Sequence, residues 1–287
     1  MELPDGTGLV LAARTILVDD LRVRVALAAA AGYSGLGLRY DDYAGARSAG
    51  MSDSDMRTLL MDNGLEVVEV QSVQGWAGDP DERAAARRLA EECLKVSDAL
   101  GGRYLSINAT NLAGDLDDAA AGFADIANLA AQHGLLAALE YLPWGPVPDA
   151  RTAWEVLRRA GCPNGRILVD SWHHFKGAAD FADIRAVPAS QICGVQFSDG
   201  TADIRNSLAG DSKDERLYPG DGAFDLVGLV RTLDAMGITW PYSVEVLSTR
   251  CRATAPALVA REAALATVRI QTAARQSGPR RSANISS

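Results

Sequence analysis

The chain alternates between two hydrophobic patterns. Short runs of consecutive apolar residues, typical of strands buried in a parallel sheet, are followed by longer segments in which apolar positions recur every three or four residues. The runs predict eight strands, at residues 9–13, 35–39, 65–70, 104–108, 136–140, 167–170, 192–196 and 242–245. The segments between and after them predict eight helices, at residues 20–31, 52–64, 80–101, 115–133, 149–160, 180–186, 225–236 and 257–274.

Eight strand and helix units in 287 residues are the number expected for a (β/α)₈ TIM barrel, an α/β fold that forms a single domain. The alternative is an open, doubly wound sheet, which expects a Gly-rich phosphate loop after an early strand. Gly35 and Gly37 look similar to such a loop, but they lie inside the predicted strand, and no G-x-G-x-x-G follows. The pattern therefore favours the barrel.

Oxygen-bearing side chains end the last four predicted strands. These side chains are Glu140, Asp170, Gln196 and Glu245. A buried strand has no need of such residues, and in a parallel barrel all strand ends open onto one face, where the chemistry is done. Carboxylates about 4 Å apart repel each other by roughly 4 kcal/mol at an effective dielectric constant near 20. A divalent cation relieves this repulsion, so the four residues predict a metal site.

Oxygen ligands favour Mn²⁺ in this site, with Mg²⁺ or Co²⁺ as alternatives, over a structural Zn²⁺. Composition limits the other partners. The net charge of −9 argues against binding to nucleic acid, which needs a basic face. No apolar run is long enough to cross a membrane. We therefore expect a small-molecule substrate, and the sequence allows a homo-oligomer without specifying one.

The ends of the chain and its cysteines complete the outline. The N-terminus lacks the pattern of a signal peptide, and Cys93, Cys162, Cys193 and Cys251 form no C-x-x-C pair, which predicts reduced thiols in a cytoplasmic protein. The barrel is expected to occupy residues 1–275. Residues 276–287 are polar and predict a disordered tail.

Several segments resemble the xylose isomerase-like TIM barrels, a group of sugar phosphate isomerases and epimerases that also includes dehydratases. The resemblance covers nearly the whole chain, to about residue 272. The segments that carry it are LEY at 139–141, VDSWH at 169–173, VQFSD at 195–199, RLYPGDG at 216–222 and SVEV at 243–246.

The resemblance implies roles for individual residues. It places the metal ligands on Glu140, Asp170, Gln196 and Glu245, and it directs His173 toward the substrate. It also implies that Arg216 holds substrate hydroxyls. The alternatives are a His173 bonded only to a loop and an Arg216 on the surface of an acidic loop. His174 is expected to be structural or exposed.

Three tryptophans, Trp76, Trp144 and Trp172, follow predicted strands, where they either wall the pocket or pack its rim. We assign Trp144 and Trp172 to substrate binding. Two positions depart from the sugar epimerases of the family. Gln196 stands where most of them have His, and Pro146 stands where they have a Glu.

The leading interpretation is a metal-dependent isomerase or epimerase that acts on a sugar, keto-polyol or related hydroxy-ketone through an enediolate. Glu140 and Glu245 would remove and return the proton, and His173 would polarise a substrate oxygen. A lyase (dehydratase) that uses the same site is the alternative. A multi-zinc DNA-repair nuclease is disfavoured, because the chain has only three histidines and is acidic. A ligand-binding barrel without catalysis remains the fourth hypothesis.

Overall fold

In the computed structural model, residues 8–276 are described, and their eight parallel strands close into a barrel. The strands are β1 (Leu9–Leu11), β2 (Gly35–Arg39), β3 (Glu66–Val73), β4 (Tyr104–Asn108), β5 (Leu136–Glu140), β6 (Gly165–Asp170), β7 (Ile192–Phe197) and β8 (Tyr242–Val244). They pair in chain order, and β1 also pairs with β8. The predicted TIM barrel is confirmed.

Helices connect the strands and surround the barrel. They are α1 (Leu21–Ala30), α2 (Tyr40–Ser48), α3 (Asp53–Asp62), α4 (Pro80–Leu100), α5 (Leu116–Gln132), α6 (Ala150–Ala160), α7 (Ser171–Lys176), α8 (Phe181–Arg185), α9 (Leu208–Asp214), α10 (Leu226–Met236), α11 (Thr249–Arg252) and α12 (Pro256–Gln276). A 3₁₀ helix, Ala189–Gln191, precedes β7. None of these helices is both long enough and apolar enough to cross a membrane.

Side-chain caps determine where the long helices begin. Ser52 and Asp55 form the predicted capping box of α3, in which each side chain bonds to the other residue's backbone N–H. The Asp79 side chain caps α4 by accepting hydrogen bonds from the N–H groups of Asp81 and Glu82. Pro80 occupies the first helical position. Because these signals are local, the sequence predicts both helix starts correctly.

Four short helices, α2, α7, α9 and α11, were not predicted. They hold four to nine residues each, too few for a recurring apolar stripe, and they lie in loops at the carboxyl ends of the strands. Contacts with the barrel stabilise such short helices more than intrinsic propensity does. They matter for function because α7 and α9 carry or flank candidate site residues.

Apolar side chains fill the barrel below its carboxyl end. Val10, Val68, Tyr104, Leu168 and Cys193 are almost fully buried and pack against one another inside the barrel. A larger apolar cluster lies between the strands and the outer helices. The interior between the two ends of the barrel is therefore a packed core.

The remaining predictions concern the cysteines and the chain end. All four cysteines are free thiols. Helix α12 continues to Gln276, one residue beyond the predicted end of the barrel. Residues 277–287, most of the predicted tail, lie outside the described residues.

Candidate active site

The four predicted oxygen side chains come together at the carboxyl end of the barrel. Glu140 is the last residue of β5 and Asp170 the last of β6, Gln196 lies in β7, and Glu245 directly follows β8. All four are at most 7 % exposed. The register of the sheet explains their convergence, because Asp170 pairs with Gln196 and Gln196 pairs with Ser243, two residues before Glu245.

Arg216 lies inside this cluster and not on the surface of its loop. Its Nη1 is 2.7 Å from Asp170 Oδ2 and 3.2 Å from Glu245 Oε2, and the side chain is 2 % exposed. Its Nε also donates to the carbonyl of Ser212 at 2.8 Å. A guanidinium always carries its charge, so Arg216 offsets part of the negative charge of the carboxylates.

Backbone bridges hold Arg216 in place on both sides. Asp199 and Leu217 exchange two backbone hydrogen bonds of 2.9 Å, and the Arg216 N–H donates to the carbonyl of Leu247 at 3.1 Å. The Asp199 carboxylate also accepts from the N–H groups of Gly220 and Phe224. The PGDG segment is therefore folded around Asp199, which fixes the base of the loop that carries Arg216.

His173 lies on α7, which begins directly after β6. Its Nε2 is 3.1 Å from Glu140 Oε1 and 3.6 Å from Asp170 Oδ2, and it is 3.4 Å from Nη2 of Arg216. The ring is 3 % exposed and lines the cavity described below. Because Asp170 accepts hydrogen bonds from the first N–H groups of α7, the same residue ends the strand and positions the histidine.

The environments of two carboxyl groups push their pKa values apart. Burial favours the neutral form of Asp170, but Arg216 and His173 outweigh it and lower the pKa of this carboxyl. Burial raises the pKa of Glu245 well above its usual range, and the neighbouring carboxylates add to this against the opposing effect of Arg216. Asp170 therefore holds a negative charge, whereas Glu245 binds a proton readily.

Two amide side chains that sequence analysis missed donate hydrogen bonds to the carboxylates of Glu245 and Glu140. Gln71 Nε2 of β3 donates to Glu245 Oε1 at 3.0 Å, and Asn108 Nδ2 of β4 donates to Glu140 Oε2 at 3.2 Å. Both amides lie at or just after the end of a predicted strand, so the search for polar residues at strand ends could have identified them. Both amides orient the carboxylates to which they donate.

The donor set fits a divalent cation. Among the described residues, Glu140, Asp170 and His173 form a buried group whose ligand atoms all lie within 4.8 Å of one another. The side-chain oxygen of Gln196 is buried and has no hydrogen-bond partner there. An unpaired buried amide oxygen beside several carboxylates is a suitable ligand for a hard cation.

A cavity of about 420 Å³ opens above the cluster. Its wall includes Glu140, Trp144, His173, Arg216 and Glu245, and basic side chains contribute to its rim. The rim residues, which sequence analysis missed, are Arg14, Arg39 and Lys213. Arg14 and Arg39 share one acidic partner, Asp41, at 2.6 and 3.1 Å. The rim therefore carries an excess of positive charge on an acidic protein.

The three tryptophans differ in their position relative to the cavity. Trp144 lines the cavity, with its ring 5.1 Å from that of His173. Trp172, by contrast, is 1 % exposed, lies under the guanidinium of Arg216, and is not part of the cavity wall. Trp76 is also buried, and its indole N–H donates to the carbonyl of Asn108. Trp172 and Trp76 therefore support the site from behind.

His174 is structural. It is 4 % exposed and stacks on Phe181 with ring centres 5.6 Å apart. Burial lowers its pKa to about 4, against the opposing effects of Asp183 and Asp180. The unfolded chain therefore binds a proton at His174 at higher pH than the folded chain does, and acidification from about pH 6.5 to about 4 must destabilise the fold.

We expect wild-type protein to lose about 2–3 kcal/mol more than His174→Phe between pH 7 and pH 4.5, because phenylalanine keeps the stacking but cannot titrate. Urea unfolding of both proteins at the two pH values measures this difference. Equal losses would show that folding does not change the protonation of His174.

Comparison with known proteins now identifies the family. The pattern of the family described as "Xylose isomerase-like TIM barrel" matches residues 25–268, and the chain belongs to this family. A curated relative from Pseudomonas aeruginosa, 3-dehydroshikimate dehydratase, is 32 % identical over 234 residues. A protein of the same name from Pseudomonas putida is 27 % identical over 246 residues.

Both alignments cover 78 % of this chain and 36 % of the relative, so the chain spans about a third of the length of these proteins. Solved structures show the same fold. A fusion of a xylose isomerase-like TIM barrel with 4-hydroxyphenylpyruvate dioxygenase matches with a TM-score of 0.82 at 22 % identity, over 93 % of this chain and 43 % of that one. The IOLI protein with a bound zinc atom matches with a TM-score of 0.83 at 17 % identity, over 93 % and 98 %.

Proposed function

We propose that this protein is a metal-dependent dehydratase acting on a cyclic hydroxy-ketone that bears a carboxylate, such as 3-dehydroshikimate. The observation that carries the proposal is one pocket that combines His173, whose Nε2 is 3.1 Å from the buried Glu140 carboxylate, with a basic rim. The similarity to two dehydratases of that name supports the choice of reaction. A rim with Arg14, Arg39 and Lys213 suits an anionic substrate better than a neutral sugar.

Glu140, Asp170, Gln196 and Glu245 would hold the metal, for which Mn²⁺ is our first choice and Mg²⁺ or Co²⁺ are alternatives. When bound, such an ion polarises a substrate carbonyl and so acidifies the neighbouring C–H bond. Glu245 lies at the cavity wall, so its carboxylate is placed to accept the proton from that carbon.

His173 is suited to deliver a proton to the departing hydroxyl group. Its Nε2 faces Glu140 Oε1 at 3.1 Å, and Arg216 Nη2 lies 3.4 Å away on another side. The carboxylate and the guanidinium fix the orientation of the ring. Trp144 packs beside the ring, with the two ring centres 5.1 Å apart.

An isomerase or epimerase is the second candidate. Glu140 and Glu245 both reach the cavity, and a pair of carboxylates can remove a proton and return it to the other face of the same carbon. Proton removal is the first step of both reactions. They differ in the second step, which is either loss of the hydroxyl group or return of the proton.

The products distinguish the two reactions. We would incubate the protein with Mn²⁺ in D₂O, with 3-dehydroshikimate and separately with a ketohexose, and monitor ultraviolet absorbance and proton NMR. A dehydratase converts 3-dehydroshikimate with loss of one water, and tautomerisation of the resulting enone gives an aromatic dihydroxybenzoate. An epimer of the ketohexose without a chromophore would establish the isomerase instead. No turnover of either compound would leave a ligand-binding barrel and overturn both.

A further inference from the structure

A second polar layer lies inside the barrel, below the strand-end residues. It is centred on Glu69 of β3, whose side chain is fully buried. Oε2 of Glu69 accepts a hydrogen bond from the Tyr104 hydroxyl at 2.7 Å, and Oε1 accepts one from Ser243 Oγ at 2.9 Å. Two hydroxyl donors from two other strands therefore fix the carboxylate in a single orientation.

Glycines on two other strands leave room for the side chains of Glu69 and Tyr104. A Cβ atom on Gly37 of β2 would lie 2.4 Å from Glu69 Oε1, and one on Gly194 of β7 would lie 3.0 Å from the Tyr104 ring. Only glycine fits at either position without displacing these side chains. The interior is thus shaped around the Glu69 carboxylate. Burying this group costs desolvation free energy, which indicates that it has a function in the protein.

The carboxamide of Gln196 lies directly above Glu69. Its Nε2 is 3.5 Å from Glu69 Oε2 and 3.4 Å from Glu245 Oε1, whereas its Oε1 has no partner among the described residues. The two ends of a carboxamide have nearly the same size, so packing cannot select between its two orientations. The hydrogen-bond partners select instead.

We propose that Glu69 is a positioning residue that turns the Gln196 amide so that its oxygen, and not its nitrogen, faces the cation. This inference rests on the proposed metal site. Glu245 is a less effective anchor, because it also bonds Arg216 and Gln71 and would give an oxygen to the ion. With the amide reversed, an N–H group would point at the cation, and one ligand would be lost.

Mn²⁺ binding tests the proposal without relying on turnover. We would titrate Mn²⁺ into wild type, Glu69→Gln, and the control Glu66→Gln, which changes an exposed glutamate of the same strand. Glu69 Oε2 faces both the Tyr104 hydroxyl and Gln196, so a glutamine at position 69 presents either a neutral oxygen or an N–H to Gln196. Neither group holds the Gln196 amide in one orientation as the carboxylate does. We expect Kd to rise about 10–100-fold in Glu69→Gln and to stay unchanged in Glu66→Gln.

A second background separates positioning from a general structural effect. In Gln196→Glu both ends of the side chain are oxygens, so no orientation can be lost, and Glu69 then repels its neighbour. Adding Glu69→Gln there should leave Mn²⁺ affinity equal or higher. Damage to the barrel would lower it in both backgrounds. Glu69→Asp, which keeps the charge but withdraws it from Gln196, should also weaken binding, and it replaces Glu69→Gln if that variant does not fold.

The outcomes distinguish this inference from the proposed function. If wild type binds Mn²⁺ and Glu69→Gln binds it equally well, the positioning role is wrong and the metal site stands. An equal loss of affinity in the two backgrounds also overturns the positioning role. If wild type binds no Mn²⁺, Mg²⁺ or Co²⁺, the metal site itself fails, and the role of Glu69 fails with it.

Discussion

Glu245→Gln should lower kcat by about 10⁴-fold, the upper end of the range for the loss of a general base. The carboxylate lies at the cavity wall, touches Arg216, and is proposed both to hold the metal and to accept the substrate proton. An amide retains one oxygen for a cation but cannot take a proton at neutral pH, so both roles suffer.

The same change should leave the fold intact. Glu245 lies among the carboxylates of Glu140, Asp170 and Glu69, which disfavour another negative charge. Glutamine is neutral and of similar size, so it avoids both this repulsion and the cost of burying a charge, and the unfolding free energy of the metal-free variant should equal or exceed that of wild type. Steady-state kinetics and urea unfolding measure the two effects, with Glu262→Gln on α12 as the surface control. Wild-type kcat in Glu245→Gln would remove this residue from the mechanism.

His173→Ala should lower kcat by about 10²–10⁴-fold and leave the Kd for Mn²⁺ unchanged. The reason is that Nε2 reaches into the cavity beside Glu140, where it can donate a proton to a leaving hydroxyl, whereas the four proposed ligands do not include it. His133→Ala is the matched control, because His133 pairs with Asp98 near the surface.

Metal content decides how a loss of activity in His173→Ala is interpreted. His173 lies close enough to Glu140 and Asp170 to share an ion with them. If the variant binds Mn²⁺ as tightly as wild type, the histidine acts on the substrate. If the variant loses the metal, His173 is a ligand. A test of whether Gln196 binds the ion would then be needed.

The sequence identifies those residues whose chemistry conflicts with a buried strand. Glu140, Asp170, Gln196 and Glu245 end apolar runs, and the closed barrel then brings them together by register alone. Arg216 was selected only through the family resemblance, and the sequence does not reveal that its loop folds inward to 2 % exposure. The roles of all these residues, and the cytoplasmic location, stay predictions.

Residues whose function depends on packing were missed. Glu69 looks like an ordinary polar position in a predicted strand, and only the barrel shows that it points inward beneath Gln196. Arg14 and Arg39 are of a residue type usually found on the surface. Arg14 follows β1 and Arg39 ends β2, and both lie at the cavity rim. Their position depends on how the strands pair in the closed barrel, which local patterns do not encode.

The bridges on both sides of Arg216 have a consequence for how this barrel can diversify. Because Asp199 pairs with Leu217, and Arg216 bonds to Leu247 and to Ser212 of α9, the bonds that fix the arginine come from outside residues 201–206. That stretch can change in length or composition without moving the guanidinium. Insertions there would alter which molecules enter while the reacting groups keep their positions. The fold thus separates the part of the chain that evolves new substrate ranges from the part that must stay constant.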